Sequence, residues 1–310
     1  EMSYERLGGT KEELSALEII KREVDALGVE NTIEDFEVNS FEIESAEFVV
    51  TKPKREVYNV NAFGMCSSTN PEGVFTEFYY LENTKQISLL DLKGKTILLT
   101  SPLSYQVYED LAKKEVAAIV VASGSIYDDL ANTDLEEKAL RERHYKHGKI
   151  PCFTMRMTDC EKLVLSNPEE VYFKVIQKES LATSHNLVAT IKGSEKPEEV
   201  VCFTAHYDSV RFSTGAYDNG TGSVTILEVL HYYVKNAPKR TLKFIWCGSE
   251  EMGLLGSHAY VNTHKEELEN YKLCINVDMT GVALGKDIAV CTSEMSLVNY
   301  IDYYAKNIGF

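Results

Sequence analysis

The chain opens with a helical pattern of hydrophobic residues. Leucine, isoleucine and valine recur at helical spacing over residues 14–27. Thr10 is a suitable N-cap, Glu13 completes a capping box three residues later, and Gly28 can end the helix. Over residues 32–50 hydrophobic and polar positions then alternate, which predicts β-strands.

Residues 46–179 follow a different pattern, rich in short buried strands with isolated helices. Strands are predicted near residues 96–99, 116–122 and 150–155, with helices at 105–114 and 158–165. We find no nucleophile–base pair or ligand cluster in this region. His144 and His147 lack the i, i+4 spacing and the intervening glutamate of a zinc-binding helix, so a solvated loop is predicted there.

After Ser184 the chain alternates regularly between strands and helices. Strands are predicted at residues 186–191, 199–205, 242–247 and 273–277, and helices at 218–234, 254–261 and 295–308. Very apolar strands separated by amphipathic helices are typical of an α/β fold, in which a central sheet is covered by helices on both faces. Such folds place their sites at strand ends.

Chemistry-bearing side chains stand at four of these strand ends. In T-A-H-Y-D-S an apolar strand delivers His206 to its carboxyl end. Asp208 is two residues farther on and can accept a hydrogen bond from the second imidazole nitrogen, which makes the ring a better metal ligand. A capped core histidine is an equally good reading of this segment alone.

The other three junctions carry carboxylates. Asp218 stands among glycines in A-Y-D-N-G-T-G, where it can be a helix N-cap or can lie beside a bound group. Glu250 and Glu251 directly follow a buried strand, and Asp278 follows another. Buried carboxylates are costly without cations or hydrogen bonds. One histidine with several acidic groups suits zinc, and a bridging carboxylate can hold two such ions close together.

Length and charge narrow the classes of function. The chain has 310 residues, of which 44% are hydrophobic, and a formal net charge of −16. This length allows about two domains. The negative charge argues against a nucleic-acid partner, because phosphate binding requires clustered lysine and arginine. No run of about 18 apolar residues occurs, so no membrane span is predicted.

Cysteine usage and the N-terminus predict a cytoplasmic protein. The seven cysteines are odd in number, form no C-x-x-C pair, and include Cys202 and Cys247 within apolar strands. This usage is typical of free thiols in a reducing compartment. The N-terminus is polar and lacks the pattern of a signal peptide, although a secreted protein whose signal has been removed would look the same.

The successive motifs T-A-H-Y-D-S, A-Y-D-N-G-T-G, S-E-E-M-G-L-L-G-S and N-V-D-M-T-G resemble those of the zinc aminopeptidases. That family includes bacterial secreted aminopeptidases, aminopeptidase Y and glutamate carboxypeptidase-like enzymes. The resemblance implies a mixed α/β sheet of the zinc exopeptidase type, formed by residues 1–45 and 180–310. Residues 46–179 resemble, more loosely, the β-rich protease-associated domain inserted in such enzymes, through D-L-K-G-K-T-I-L-L and I-P-C-F-T-M.

The resemblance also implies a role for each site residue. His206 and Asp278 would hold one zinc ion, Asp218 would bridge two, and Glu251 would bind the second. Glu250 would be the general base that activates water and then the acid that protonates the leaving amine. Asp208 would orient His206.

One feature of the family is missing from this sequence. Its members supply a second histidine to the Glu251 metal from a later segment, and no such motif precedes Phe310. His258, His264 and His231 fit packing or surface positions better. We therefore expect a chain that lacks the C-terminal part of the peptidase domain, with an incomplete second site and fewer than two bound zinc ions.

Four functions remain open. The leading one is an aminopeptidase acting on peptides. A glutamate-type carboxypeptidase would need a cationic pocket, for which Arg211 is a candidate by position only. A glutaminyl cyclase-like transferase uses a related single-zinc site, and an inactive receptor-like binding protein would have lost metal ligands. The sequence does not determine side-chain preference or oligomeric state.

Overall fold

The structure is a computed structural model that describes residues 1–131, 133–281 and 288–309. Its strands are β1 (Glu30–Lys52), β2 (Glu56–Tyr58), β3 (Val60–Ala62), β4 (Val74–Leu81), β5 (Thr96–Leu99), β6 (Ala118–Ser123), β7 (Cys152–Arg156), β8 (Glu170–Ile191), β9 (Lys196–His206), β10 (Arg240–Cys247) and β11 (Tyr271–Asn276). Its α-helices are α1 (Lys11–Ala26), α2 (Tyr105–Lys113), α3 (Glu142–Tyr145), α4 (Met157–Leu165), α5 (Thr221–Lys235), α6 (Leu255–Thr263) and α7 (Met295–Ile308). There are also 3-10 segments at Thr84–Leu89 and Lys265–Asn270 and a π-helical turn at Ala216–Gly220.

Helix α1 begins where the capping pattern predicts. The Thr10 side chain accepts a hydrogen bond from the Glu13 N–H at 3.2 Å. The Glu13 carboxylate reaches back to the N–H of Gly9 at 2.7 Å, one residue before the N-cap. Leu17 and Val24 are fully buried on the inner face of the helix.

A long antiparallel ribbon joins the two parts of the chain. β1 and β8 pair along almost their whole length, from Glu30 opposite Thr190 to Lys52 opposite Glu170. The predicted boundaries at residues 46 and 179 both fall inside this ribbon.

The strands form one mixed sheet of eleven strands, in the order β11-β9-β10-β8-β4-β5-β6-β7-β3, with β1 beside β8 and β2 beside β1. β10 is antiparallel to β8 but parallel to β9, and β11 is also parallel to β9. The carboxyl ends of β9, β10 and β11 therefore meet at one edge, where the sequence predicts the site.

Helices cover both faces of the sheet around these strands, as the fold class predicts. On one face Phe244 and Trp246 of β10 pack with α1 and α5. The residue between them, Ile245, points to the opposite face and packs with Tyr260 of α6. This alternation follows from the period of two in a β-strand.

Residues 48–175 have a hydrophobic core of their own. It is built from β3–β7, the start of β8, and helices α2 and α4, with fully buried residues such as Ile97, Val120 and Phe153. The charged stretch 128–149 contains the short helix α3 and otherwise irregular chain in its described residues. None of the described helices has the length and hydropathy needed to cross a membrane.

The predicted helix over residues 218–234 begins later than expected. Asp218 lies in the π-helical turn with extended φ and ψ of −105° and 101°, and α5 starts at Thr221 after the N-cap Gly220. Asp218 is therefore not the N-cap of this helix.

Candidate metal centre

The site residues stand just beyond the ends of three parallel strands. His206 is the last residue of β9, Glu250 and Glu251 follow β10, and Asp278 follows β11. Parallel pairing puts Cys247 opposite His206 and Asn276 opposite Thr204, so the three segments after the strands converge.

His206 lies at the centre of the cluster and is only 4% exposed. Its Nε2 atom is 3.1 Å from Oδ1 of Asp218, 3.6 Å from Oδ1 of Asp278 and 3.9 Å from Oε2 of Glu250. The ring therefore faces carboxylates that come from three different loops.

Two groups within the cluster are close enough to hold a metal ion. His206, Asp218 and Asp278 form one, with ligand atoms within 4.8 Å of one another, and His206, Glu250 and Glu251 form the other. The structure thus brings together the five residues that the sequence singles out.

Asp208 is fully buried behind His206 and does more than the sequence predicts. Its Oδ1 lies 3.3 Å from Nδ1 of His206, close enough for attraction although the geometry is not that of a hydrogen bond. The carboxylate instead accepts hydrogen bonds from the backbone N–H groups of Glu250 at 3.0 Å and Glu251 at 3.1 Å. Asp208 thereby couples the strand that carries the histidine to the turn that carries the glutamates.

Among the clustered carboxylates, those of Glu250 and Glu251 resist ionisation in the metal-free protein. Burial, reinforced by the charges of Asp218 and Asp208, raises the pKa of Glu251 to about 7. Burial is also the main cause of the raised pKa of Glu250. Burial alone would lower the pKa of His206, but Asp208 and the other nearby carboxylates outweigh it and raise that pKa to about 9. The site is short of positive charge, which divalent cations would supply.

Asn219 connects Asp218 to the segment that carries Asp278. It is fully buried, and its Nδ2 donates to the carbonyl of Val277 at 2.9 Å. Its Oδ1 accepts from the N–H of Met279 at 3.2 Å. Sequence reasoning missed this role, although the A-Y-D-N-G-T-G motif contains the residue.

Arg6 is a second residue that sequence reasoning missed. It is fully buried, and its Nε donates to the carbonyl of Tyr207. The other guanidinium nitrogens donate to the carbonyls of Met2 at 2.9 Å, Tyr4 at 3.2 Å, Thr214 at 2.8 Å and Gly215 at 2.6 Å. The N-terminal segment therefore fixes the loop between His206 and Asp218. A lone arginine in a polar segment offers no motif that would reveal this.

The other candidate residues after Ser184 lie outside the cluster. The Nε2 atom of His264 is 2.9 Å from Oε1 of Glu34, and its ring stacks on that of Tyr260. His258 is exposed on α6. Within the described ranges, His206 is the only histidine in either metal-capable group. Arg211 pairs with Glu137 at 2.8 Å and so links the loop after β9 to the region of residues 46–179.

A cleft of about 430 Å³ lies between that region and the metal centre. Glu251 and Met252 line it on one side, and Glu137 and Arg141 line it on the other. The cleft gives a small molecule or a chain end access to the Glu251 side of the centre.

The model of peptidase family M28 matches residues 186–308, which include His206, Asp218, Glu250 and Glu251 as well as Asp278. This part of the chain is therefore similar to the M28 peptidases. The M28 match begins in β8 and runs through α7, so it covers the strands and loops that build the site.

Among curated proteins, carboxypeptidase Q from Bos taurus is 29% identical over 290 residues, covering 88% of this chain and 61% of that protein. Carboxypeptidase Q from Mus musculus is 28% identical over 305 residues, covering 89% of this chain and 64% of that protein. The chain thus spans about three fifths of the length of these relatives.

A solved structure with the same fold is BSAP, a zinc aminopeptidase from Bacillus subtilis. It aligns with a TM-score of 0.76 at 24% identity, covering 99% of this chain and 74% of that one. This match shows the mixed α/β fold with helices on both faces of the sheet.

Proposed function

We propose that the chain forms the catalytic centre of a zinc-dependent exopeptidase. The observation that carries the proposal is the position of His206, whose Nε2 faces Asp218, Asp278 and Glu250 at 3.1–3.9 Å in a chain similar to the M28 peptidases. One imidazole with surrounding carboxylates is a donor set that suits zinc.

The residues fit zinc in orientation as well as in chemistry. The Nε2 atom of His206 faces the carboxylates, while Nδ1 faces the buried Asp208 at 3.3 Å. Imidazole ligands commonly have a carboxylate behind the second nitrogen, which fixes their tautomer. We assign His206 and Asp278 to one ion, Asp218 to a bridging position, and Glu251 to a second ion. When bound, zinc would lower the pKa of water and polarise the scissile carbonyl.

Glu250 is the proposed general base. Its carboxylate is half-buried at the cluster, and its backbone N–H is held by Asp208 at 3.0 Å. In this position it can take a proton from the attacking water and return it to the amine that leaves when the peptide bond breaks. Asp208 has a positioning role, because it holds both Glu250 and Glu251.

Replacing Glu250 tests this assignment. We expect Glu250→Gln to retain zinc but to lower kcat by about 10²–10⁴-fold, since the amide cannot accept the proton. Glu228→Gln, an exposed change on α5, is the matched control and should leave kcat unchanged. If Glu250→Gln hydrolysed peptides at the normal rate, the catalytic assignment would be wrong.

We further propose that the chain binds fewer than two zinc ions. The described residues bring one histidine, His206, to the cluster. We assign it with Asp278 to the first ion, which leaves the ion at Glu251 without a histidine ligand. Metal analysis of zinc-saturated protein after removal of free ion gives the count. A stoichiometry of two per chain would refute this proposal.

We favour an aminopeptidase, with a carboxypeptidase as the second candidate. The motif order resembles that of the zinc aminopeptidases, and BSAP, which has the same fold, is a zinc aminopeptidase. The similarity to carboxypeptidase Q, which extends over 88% of the chain, supports the carboxypeptidase alternative. Aminoacyl anilides, which have a free amine and no terminal carboxylate, should be hydrolysed by an aminopeptidase. N-acylated dipeptides, which have only a free carboxylate, should be hydrolysed by a carboxypeptidase.

We also propose that residues 46–179 are an inserted protease-associated domain that limits access to the centre. Its separate core and its contact through Glu137 and Arg211 support this. The seven free cysteines are compatible with a reducing compartment, and we keep the cytoplasm as the proposed location.

A further inference from the structure

Three successive backbone N–H groups lead into the metal centre, and each is held by a buried carboxylate. Asp208 accepts those of Glu250 and Glu251, as described above. The N–H of Ser249, one residue earlier, donates to Oε1 of Glu13 at 2.9 Å. Glu13 lies in the first turn of α1, which is 236 residues away in sequence.

Glu13 is more buried than a helix-capping glutamate needs to be, with 0% of its surface exposed. Its Oε1 also accepts from the hydroxyls of Ser184 at 2.8 Å and Ser249 at 3.4 Å, and its Oε2 accepts from the N–H of Gly9 at 2.7 Å. In the described part of the chain no lysine or arginine pairs with it. A role in capping α1 accounts only for the contact with the N–H of Gly9, so the contacts to β8 and to Ser249 need another explanation.

The turn that Glu13 holds is strained and has little free space. Ser249 has a φ of +51°, a left-handed conformation that L side chains rarely adopt. A Cβ atom on Gly248 would lie 2.7 Å from Oε1 of Glu13 and 2.6 Å from Oγ of Ser184. The carboxylate therefore fits directly against the backbone that precedes the glutamates, and it stabilises a conformation that the local sequence does not favour.

We propose that Glu13 is a positioning residue of the metal centre, which fixes the Ser249 turn and thereby aims Glu250 and Glu251 at the metals. The inference rests on the proposed zinc peptidase function. Glu13 and Asp208 together accept hydrogen bonds from three consecutive backbone N–H groups. These belong to Ser249, to the proposed base Glu250 and to the proposed ligand Glu251. Outer groups that orient ligands in this way commonly change metal affinity or activity by about 10–100-fold when they are removed.

The test compares two substitutions of Glu13 with two controls. Glu13→Ala removes all acceptors, whereas Glu13→Gln keeps the size of the side chain but places an amide NH₂ against one of the donors. Thr10→Ala removes the N-cap of the same helix and so lowers stability without removing the contact to Ser249. Glu12→Gln removes the neighbouring, exposed carboxylate of the same turn.

The primary measurement is the dissociation constant of zinc from each metal-free protein, obtained by competition with a chelator. The second is kcat at saturating zinc, and thermal unfolding reports stability. We expect Glu13→Ala to weaken zinc binding about 10–100-fold and Glu13→Gln to weaken it less, with kcat lowered in both. Thr10→Ala should unfold at lower temperature but bind zinc as the unchanged protein does, and Glu12→Gln should match the unchanged protein throughout.

The proposal fails if both Glu13 variants bind zinc within twofold of the unchanged protein. It also fails if Thr10→Ala weakens zinc binding as much as they do, since the effect would then be loss of stability alone. If Glu13→Ala does not fold, Glu13→Gln and Thr10→Ala still decide the matter. Absence of zinc binding by the unchanged protein would instead refute the proposed function itself, and the role of Glu13 with it.

Discussion

At the scale of single residues, the buried charges around the metal centre are satisfied mainly by the backbone. Arg6 donates to carbonyls, while Asp208 and Glu13 accept from backbone N–H groups. A buried charge that lacks such partners would be strongly unfavourable. Each of the three therefore fixes a loop that has no regular secondary structure of its own.

Arg6 should be important for stability because five carbonyls depend on it. We expect Arg6→Met to lower the free energy of unfolding by about 3 kcal/mol or more, since the buried carbonyls would lose their donors. Arg6→Lys should recover only part of the loss, because an ammonium has three donors in a different geometry.

Urea unfolding of the metal-free proteins measures these differences. Arg22→Ala is the matched control, since Arg22 is exposed and pairs only with the surface residues Glu1 and Glu23. It should change stability by less than about 1 kcal/mol. An Arg6→Met protein as stable as the control would contradict this account.

Glu13 should also make stability depend on pH. Burial, with a contribution from the charge of Asp208, raises its pKa from 4.5 to about 7 in the folded protein. Between these two values the folded state holds more protons than the unfolded state. The stability contributed by protonated Glu13 is therefore complete below about pH 4.5 and is lost as the pH rises through about 7.

This effect can be isolated by comparison with Glu13→Gln, which cannot ionise. Between pH 5 and pH 8 the unchanged protein should lose up to about 3 kcal/mol relative to the variant, from the size of the pKa difference. Urea unfolding without metal at each pH gives the comparison. Parallel pH profiles for the two proteins would show that Glu13 does not titrate in this range.

At the scale of elements, local pattern predicted most helices and strands but not how they meet. The capping box gave the start of α1, and apolar runs gave β9 and β10. The pairing of β1 with β8 was not predicted, because it joins residues that are far apart in sequence, for example Thr32 with Val188. Such pairing depends on the whole fold and leaves only an alternating pattern in each strand.

The turn at Ala216–Gly220 shows the same limit for the site. The pattern of α5 suggested a helix from Asp218, but contacts of Asn219 with Val277 and Met279 hold that segment in another conformation. Most of the metal-binding residues were predictable because His206, Glu251 and Asp278 stand at or just after the ends of apolar strands, and Asp218 stands in a glycine-containing motif. Arg6, Asn219 and the second role of Glu13 were not, because their partners are distant in sequence.

Close packing between α6 and the glutamate turn gives a prediction at this scale. A Cβ atom on Gly256 would lie 2.4 Å from the carbonyl oxygen of Gly248 and 2.4 Å from Oδ1 of the buried Asn186. We expect Gly256→Ala to destabilise the protein by about 1–3 kcal/mol, as overpacking usually does. His258→Ala, at an exposed position of the same helix, should have little effect. Equal melting temperatures for the two variants would contradict this packing.

At the scale of the whole molecule, the two largest hydrophobic cores among the described residues share one sheet. The core of residues 48–175 and the core formed by α1, α5 and β8–β10 have separate members. The ribbon of β1 and β8 passes from one to the other. The domain boundaries at residues 46 and 179 fall within the ribbon and stay a prediction. The continuity of the two strands could not be predicted from either strand alone.

Removing residues 46–175 should therefore leave the metal centre intact. Ser45 lies directly opposite Ile176 in the ribbon, so a two-residue Asn-Gly turn can replace residues 46–175 and close a hairpin. We expect this shortened protein to unfold cooperatively and to bind zinc as the full chain does, because none of the residues assigned to the metals lies in the removed part.

In the shortened protein the cleft beside Glu251 would lose one wall, so hydrolysis of long peptides should rise relative to that of dipeptides. Arg211→Ala in the full chain, which breaks the contact with Glu137 but keeps the domain, should shift this ratio less. An unchanged preference for peptide length in the shortened protein would show that residues 46–175 do not limit access to the site.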